Sequence, residues 1–97
     1  MKLAWTLRAR DDLKMIGRYI AEDDPGSSRR WVARLQERAR AASRMPLSGR
    51  RVPEVGRDNV REVFLRTYRI IYRVKRTSIE ILTVFEGHRP LPLDVED

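Results

Sequence analysis

Cysteine is missing from all 97 residues, so neither a disulfide framework nor a thiolate metal site can be built. Histidine occurs once, at His88, which removes a histidine-rich metal site as well. No metal and no cofactor are therefore expected. No apolar run approaches the roughly 18 residues that mark a bilayer-spanning helix. The opening Met1-Lys2-Leu3-Ala4-Trp5-Thr6-Leu7-Arg8 reaches a charge too soon for a secretory signal. These absences predict a cytoplasmic protein without a membrane partner. Lysine is scarce too, confined to Lys2, Lys14 and Lys75, and no repeat, low-complexity tract or heptad series is present.

What the chain does have is arginine. Lysine and arginine together number 21 against 14 acidic residues, a net charge of +7. Guanidinium groups pair in plane with carboxylates and phosphates, so the natural partner is an acidic protein or a nucleic acid. The competing explanation for any one arginine is a solvated surface. The length suits one domain with a single core, whose modest stability a bound partner would raise.

Hydrophobic spacing predicts the order β-α-α-β-β-β. Leu3 and Trp5 alternate with Lys2 and Ala4 in an opening strand over 2–6. Ala9, Leu13, Ile16 and Ile20 then line one side of a helix over about 7–22, with Arg10, Lys14 and Arg18 on the other. Asp11 and Asp12 are expected to serve the positive end of that helix. Asp24-Pro25 suits the start of a second helix, which Trp31, Leu35, Ala39 and Ala42 continue until Pro46 stops it near Arg44. Residues 47–59 read as an ordered surface loop, followed by strands over 60–66, 68–75 and 78–86 joined by tight reversals. The expected fold is α+β, a helical hairpin packed on a small antiparallel sheet. One domain is expected over residues 1–89, with residues 90–97 a tail.

The element order, with Ala9-x-x-Asp12-Leu13-x-x-Ile16-x-x-Tyr19-Ile20, Gly49-Arg50-x-Val52-Pro53-Glu54, Val60-Arg61-Glu62-Val63, Tyr68-Arg69-Ile70-Ile71-Tyr72-Arg73-Val74 and Ile81-Leu82-x-Val84-Phe85-x-Gly87-x-Arg89, resembles the ParE/RelE toxin superfamily over residues 3–89. The Tyr-Arg-Ile-Ile-Tyr strand and the Phe-Glu-Gly-His-Arg ending lie nearer its ParE, or plasmid stabilisation, branch. The resemblance implies the toxin of a type II toxin–antitoxin system. Its antitoxin, ParD-like or other, would be acidic, would wrap the toxin through a segment that folds on binding, and would form an oligomer with it.

Two activities follow from that resemblance. ParE-like members resemble inhibitors that bind DNA gyrase. RelE-like members resemble ribosome-dependent messenger RNA endoribonucleases, with basic groups on the central strands and a tyrosine or histidine after the last one. Cleavage requires a proton acceptor, a proton donor and a cation beside the phosphate. Arg61, Arg69 and Arg73 would supply the cation, His88 the donor, and Glu54 or Glu62 the base. Against cleavage, no tyrosine follows Phe85, no lysine lies between Lys14 and Lys75, and strand alternation sets Arg61 and Glu62 on opposite faces. Inhibition by binding is therefore the expected activity, with Arg61, Arg69, Arg73 and Arg89 as contacts to target or antitoxin. Each has an alternative use in salt bridges to Glu62, Glu80 or Glu86. Tyr72, Trp5 and Trp31 are expected in the core, and Tyr68 is open to stacking on a base. Arg30, Arg34 and Arg38 form either a phosphate stripe or the wet side of the second helix. A non-toxic nucleic-acid-binding module ranks last, for want of a helix-turn-helix signature or zinc site.

Overall fold

A computed structural model describes residues 1–92. Its elements are β1 (Lys2–Trp5), α1 (Leu7–Ala21), α2 (Pro25–Arg44), β2 (Arg50–Arg51), β3 (Val60–Leu65), β4 (Tyr68–Val74) and β5 (Ser78–Glu86). The sheet runs β1-β5-β4-β3-β2. The α+β class and the order of the long elements are as the spacing predicted. The sheet, however, is mixed, because β1 lies parallel to β5, with Leu3 opposite Ile79 and Trp5 opposite Ile81. The connection from β1 to β5 passes through both helices and three further strands, long enough for the crossover that a parallel pair requires. A second difference is β2: two residues of the expected loop pair antiparallel with β3, Arg50 opposite Glu62 and Arg51 opposite Arg61.

Local chemistry sets the helix ends. Thr6 caps α1 by accepting from the Ala9 N–H at 3.1 Å, and its hydroxyl reaches the Ile81 and Leu82 carbonyls, tying the cap to β5. Asp24 accepts from the Ser27 N–H at 3.1 Å and Pro25 opens α2, as Asp-Pro predicted. The helices cross closely at Gly17, where an added Cβ would lie 3.2 Å from Val32 Cγ2. The Ser28 hydroxyl donates to the Gly17 carbonyl at the same crossing.

The core lies between the hairpin and the sheet. Ala9, Leu13, Leu35, Ala39 and Ala42 from the helices meet Val63, Ile70, Tyr72, Ile79, Ile81 and Val84. Trp5 packs against this cluster half-buried, as expected. Trp31 does not join it: its ring sits 6.1 Å from that of Tyr68, under the Arg34 guanidinium at 5.0 Å. The sheet's far side carries a smaller cluster of Val52, Val60, Ile71, Leu82 and Leu91. Leu91, assigned from sequence to the tail, is thus buried against the sheet. Of that expected tail, residues 93–97 lie outside the described residues.

Asp12 corrects another expectation. With the cap at Thr6, the first turn of α1 holds no acid. Asp12 instead accepts from the Thr83 hydroxyl and from the Val84 N–H at 3.1 Å, locking α1 onto β5. Asp12→Ala would leave the buried Thr83 hydroxyl without its acceptor, and we expect a loss of about 2 kcal/mol in urea unfolding. An unchanged midpoint would show that the bond contributes nothing.

Candidate functional site

Alternation along β3 and β4 turns Val63, Ile70 and Tyr72 toward the helices and Glu62, Arg69, Ile71 and Arg73 away from them. On that far side lies an ionic clamp. Arg69 is only 7% exposed and Glu62 only 1%. Arg69 Nε and Nη2 meet Glu62 Oε1 at 2.7 and 2.6 Å, and Nη1 and Nη2 donate to the two Glu54 oxygens at 2.8 and 3.1 Å. Arg50 Nε donates to the other Glu62 oxygen, Oε2, so this buried carboxylate serves two guanidiniums. Aromatic rings complete the layer, Arg69 stacking 5.2 Å from Phe85 and Arg50 5.3 Å from Phe64. The hydrogen bonds from Arg69 hold the Glu54 carboxyl below the usual carboxylate range.

The remaining candidate arginines are placed separately. Arg61 donates to the carbonyls of Leu47, Gly49 and Asp58, closing the loop between α2 and β3. Tyr72 assists by donating to the Pro46 carbonyl at 2.7 Å. Gly49 is required there, since an added Cβ would run into the Tyr72 hydroxyl and lie 2.7 Å from the Glu62 carbonyl. Arg73 lies across from Glu80, 4.0 Å away and half-buried. Arg38 uses its Nε on the Phe64 carbonyl at 3.2 Å. Arg89 is exposed.

Arg89 and His88 border an open groove of about 610 Å³ between α1 and the end of β5. Its walls are apolar and aromatic: Met15, Ile16 and Tyr19 from α1, Tyr68 and Phe85 from the sheet. Met15 is 65% and Tyr19 71% exposed, and both border the same groove. His88 Nδ1 lies 2.8 Å from each Glu86 carboxylate oxygen, and the hydrogen bond raises the imidazole above its usual pKa. Gly87 makes the turn into this corner: its N–H donates to the Thr67 carbonyl at 2.6 Å, which an added Cβ would crowd at 2.9 Å.

The residues proposed for cleavage are therefore dispersed, with Arg73 apart beside Glu80. Glu54, Glu62 and Arg69 converge, but on one another. His88 pairs with Glu86 at the groove, while Arg61 closes the loop. Arg50, quoted from sequence only within the Gly-Arg-x-Val-Pro-Glu segment, was not among the site candidates because its role depends on the two-residue β2 ladder. The groove residues Met15 and Tyr19 carried a signal, since both fall outside the Ala9-Leu13-Ile16-Ile20 core stripe. Among the described residues no cluster of histidine, aspartate or glutamate is placed to hold a metal ion, and no helix is long and apolar enough to cross a membrane.

Comparison with known proteins adds three similarities. The family model described as the ParE toxin of the type II toxin–antitoxin system parDE matches residues 3–91. A protein of Sinorhizobium fredii designated a candidate toxin, Y4kP, is 42% identical over 94 residues, covering 94% of this chain and 93% of that protein. A solved structure described as the chromosomal ParDE toxin–antitoxin system from P. aeruginosa superposes with a TM-score of 0.74 at 26% identity, covering 89% of this chain and 95% of that one.

Arg69→Leu would strand the buried Glu62 carboxylate beside Arg50 alone, and we expect about 3 kcal/mol of destabilisation in chemical unfolding. Adding Glu62→Leu should recover most of it; a double variant no more stable than the single one would overturn this account of the clamp. Because Glu54 has a lowered folded pKa, its contribution is complete above the usual glutamate range and disappears as pH falls through the lowered value. Melting temperatures from pH 7 down to 3 should therefore fall less steeply for Glu54→Gln than for the unmodified chain. Parallel curves would refute the linkage.

Proposed function

The chain belongs to the ParE toxin family of type II toxin–antitoxin systems, and from that premise we propose that it arrests growth by binding DNA gyrase until a cognate antitoxin covers it. One observation carries the preference for binding over cleavage. Glu54 and Glu62, the acids available as a base, are both tied to Arg69. An acid–base mechanism needs those groups free and converging on one phosphate with the donor. His88 would supply that donor from the groove, where its partner is Glu86. Binding requires no such convergence.

The antitoxin in this reading occupies the groove beside α1. Met15 and Tyr19, with Ile16, Tyr68 and Phe85 behind them, form an apolar strip that a segment folding on contact would cover. Arg89 and His88 at the rim suit its carboxylates. The neutralised species is then a toxin–antitoxin oligomer. RelE-like cleavage of messenger RNA remains the second reading, favoured by the raised imidazole of His88 beside Arg89.

Expressed without its partner, the chain should stop growth, and the purified protein should block gyrase supercoiling while leaving message on translating ribosomes intact. Cleaved message with supercoiling untouched would reverse the assignment, and loss of that cleavage in His88→Ala would give His88 the catalytic part. Met15→Glu with Tyr19→Glu should weaken antitoxin binding in calorimetry by on the order of a hundredfold, because two anchors are lost. Unchanged affinity would move the antitoxin elsewhere.

A further inference from the structure

Helix α1 separates two depressions. Asp12, Met15, Ile16 and Tyr19 border the groove beside β5, whereas Arg10, Leu13, Lys14 and Gly17 border a crevice of about 400 Å³ shared with Trp5, Val32 and Gln36. Each set has the i, i+3, i+4, i+7 spacing of a single helical stripe. The two stripes are offset by two residues, which is about 200° around the axis.

The crevice differs from the groove in charge. Its floor is apolar, made by Trp5, Leu13 and Val32, with Gly17 beside them. Arg10 and Lys14 rise exposed at its edge, and neither enters an ion pair among the described residues. No carboxylate lines it, although Asp12 and Glu86 line the groove. Two free cations over an indole-bearing apolar floor complement an acidic chain that inserts one apolar side chain. A nucleic-acid strand would call for a longer row of cations along its phosphates.

We propose that this crevice is a second docking site, separate from the antitoxin groove, which takes an acidic polypeptide segment with an apolar anchor from the protein the toxin acts on. The assignment rests on the reading above that the chain acts by binding. It divides the surface: one stripe of α1 receives the inhibitor, the opposite stripe grips the target.

The test uses the full chain and its cognate antitoxin. Arg10→Glu with Lys14→Glu should melt like the unmodified protein and bind antitoxin with unchanged affinity, yet fail to arrest growth. Its inhibition of supercoiling should weaken by on the order of a hundredfold, since two attractive contacts become repulsive. Arg57→Glu with Arg76→Glu, the same change of charge at exposed turns, should keep full activity. Undiminished arrest in the crevice variant, or antitoxin binding lost along with arrest, would overturn the proposal. So would an equal loss in the control pair, which would reduce the effect to net charge.

Should the unmodified chain arrest nothing, the function fails but the crevice is still decided by a probe. The peptide Glu-Glu-Leu-Glu-Glu, blocked at both ends, should shift the nuclear magnetic resonance signals of the Trp5 indole N–H and the Gly17 amide, and should not do so in the crevice variant. Absent shifts would refute the site, and stronger shifts with a short oligothymidine would reassign it to nucleic acid.

Discussion

Arg69, enclosed between Glu54 and Glu62, is the contact on which the far side of the sheet depends. Removing a guanidinium and a carboxylate from water costs several kcal/mol for each ion, and only near-ideal geometry offsets it. Five nitrogen–oxygen contacts to Glu62 and Glu54 come close to that ideal, and among the described residues no buried side-chain nitrogen or oxygen lacks a hydrogen-bond partner. The return on this arrangement is placement. Glu54 belongs to the long loop before β3, so the clamp fastens that loop to the middle of the sheet. Arg61 and Tyr72 fasten its beginning from the helix side.

The clamp also alters the meaning of the chain's basicity. Net charge describes the whole molecule, yet several guanidiniums are already engaged inside it: Arg69 and Arg50 on carboxylates, Arg61 and Arg38 on carbonyls. Arg10 and Lys14 on α1 and Arg89 after β5 are among the exposed cations that stand outside these contacts. The number of arginines is therefore a poor guide to a binding face, and their partners are a better one.

Much of this was legible in the sequence. The core stripe of α1, the Asp-Pro start of α2 and the alternation of β4 follow from spacing alone, because burial on one side imposes a period. Ile70 and Tyr72 face the helices as that period requires. What escaped was whatever depends on residues far apart. The direction of β1 is fixed by Leu3 meeting Ile79, β2 by Arg50 meeting Glu62, and the role of Asp12 by Thr83, 71 positions away. Trp31 was misplaced because a large aromatic at helical spacing resembles a core residue even when it lies at the helix border over Tyr68. Among the candidate arginines, the salt bridges weighed from sequence to Glu62 and Glu80 are formed by Arg69 and Arg73, whereas Glu54 as a second partner of Arg69 depends on where the loop folds.

The parallel pairing of β1 with β5 has a consequence in time. Lys2–Trp5 leave the ribosome before the rest of the domain, but their strand neighbour among the described residues is Ser78–Ile81. Contacts that span most of a chain must close a long loop before they return any stability, which slows their formation. The capping hydroxyl of Thr6 waits as well, since it donates to carbonyls of the same late strand. Strand β1, made ahead of the elements it packs on, is thus among the last to settle, and the surfaces on either side of α1 take shape only once translation has passed β5.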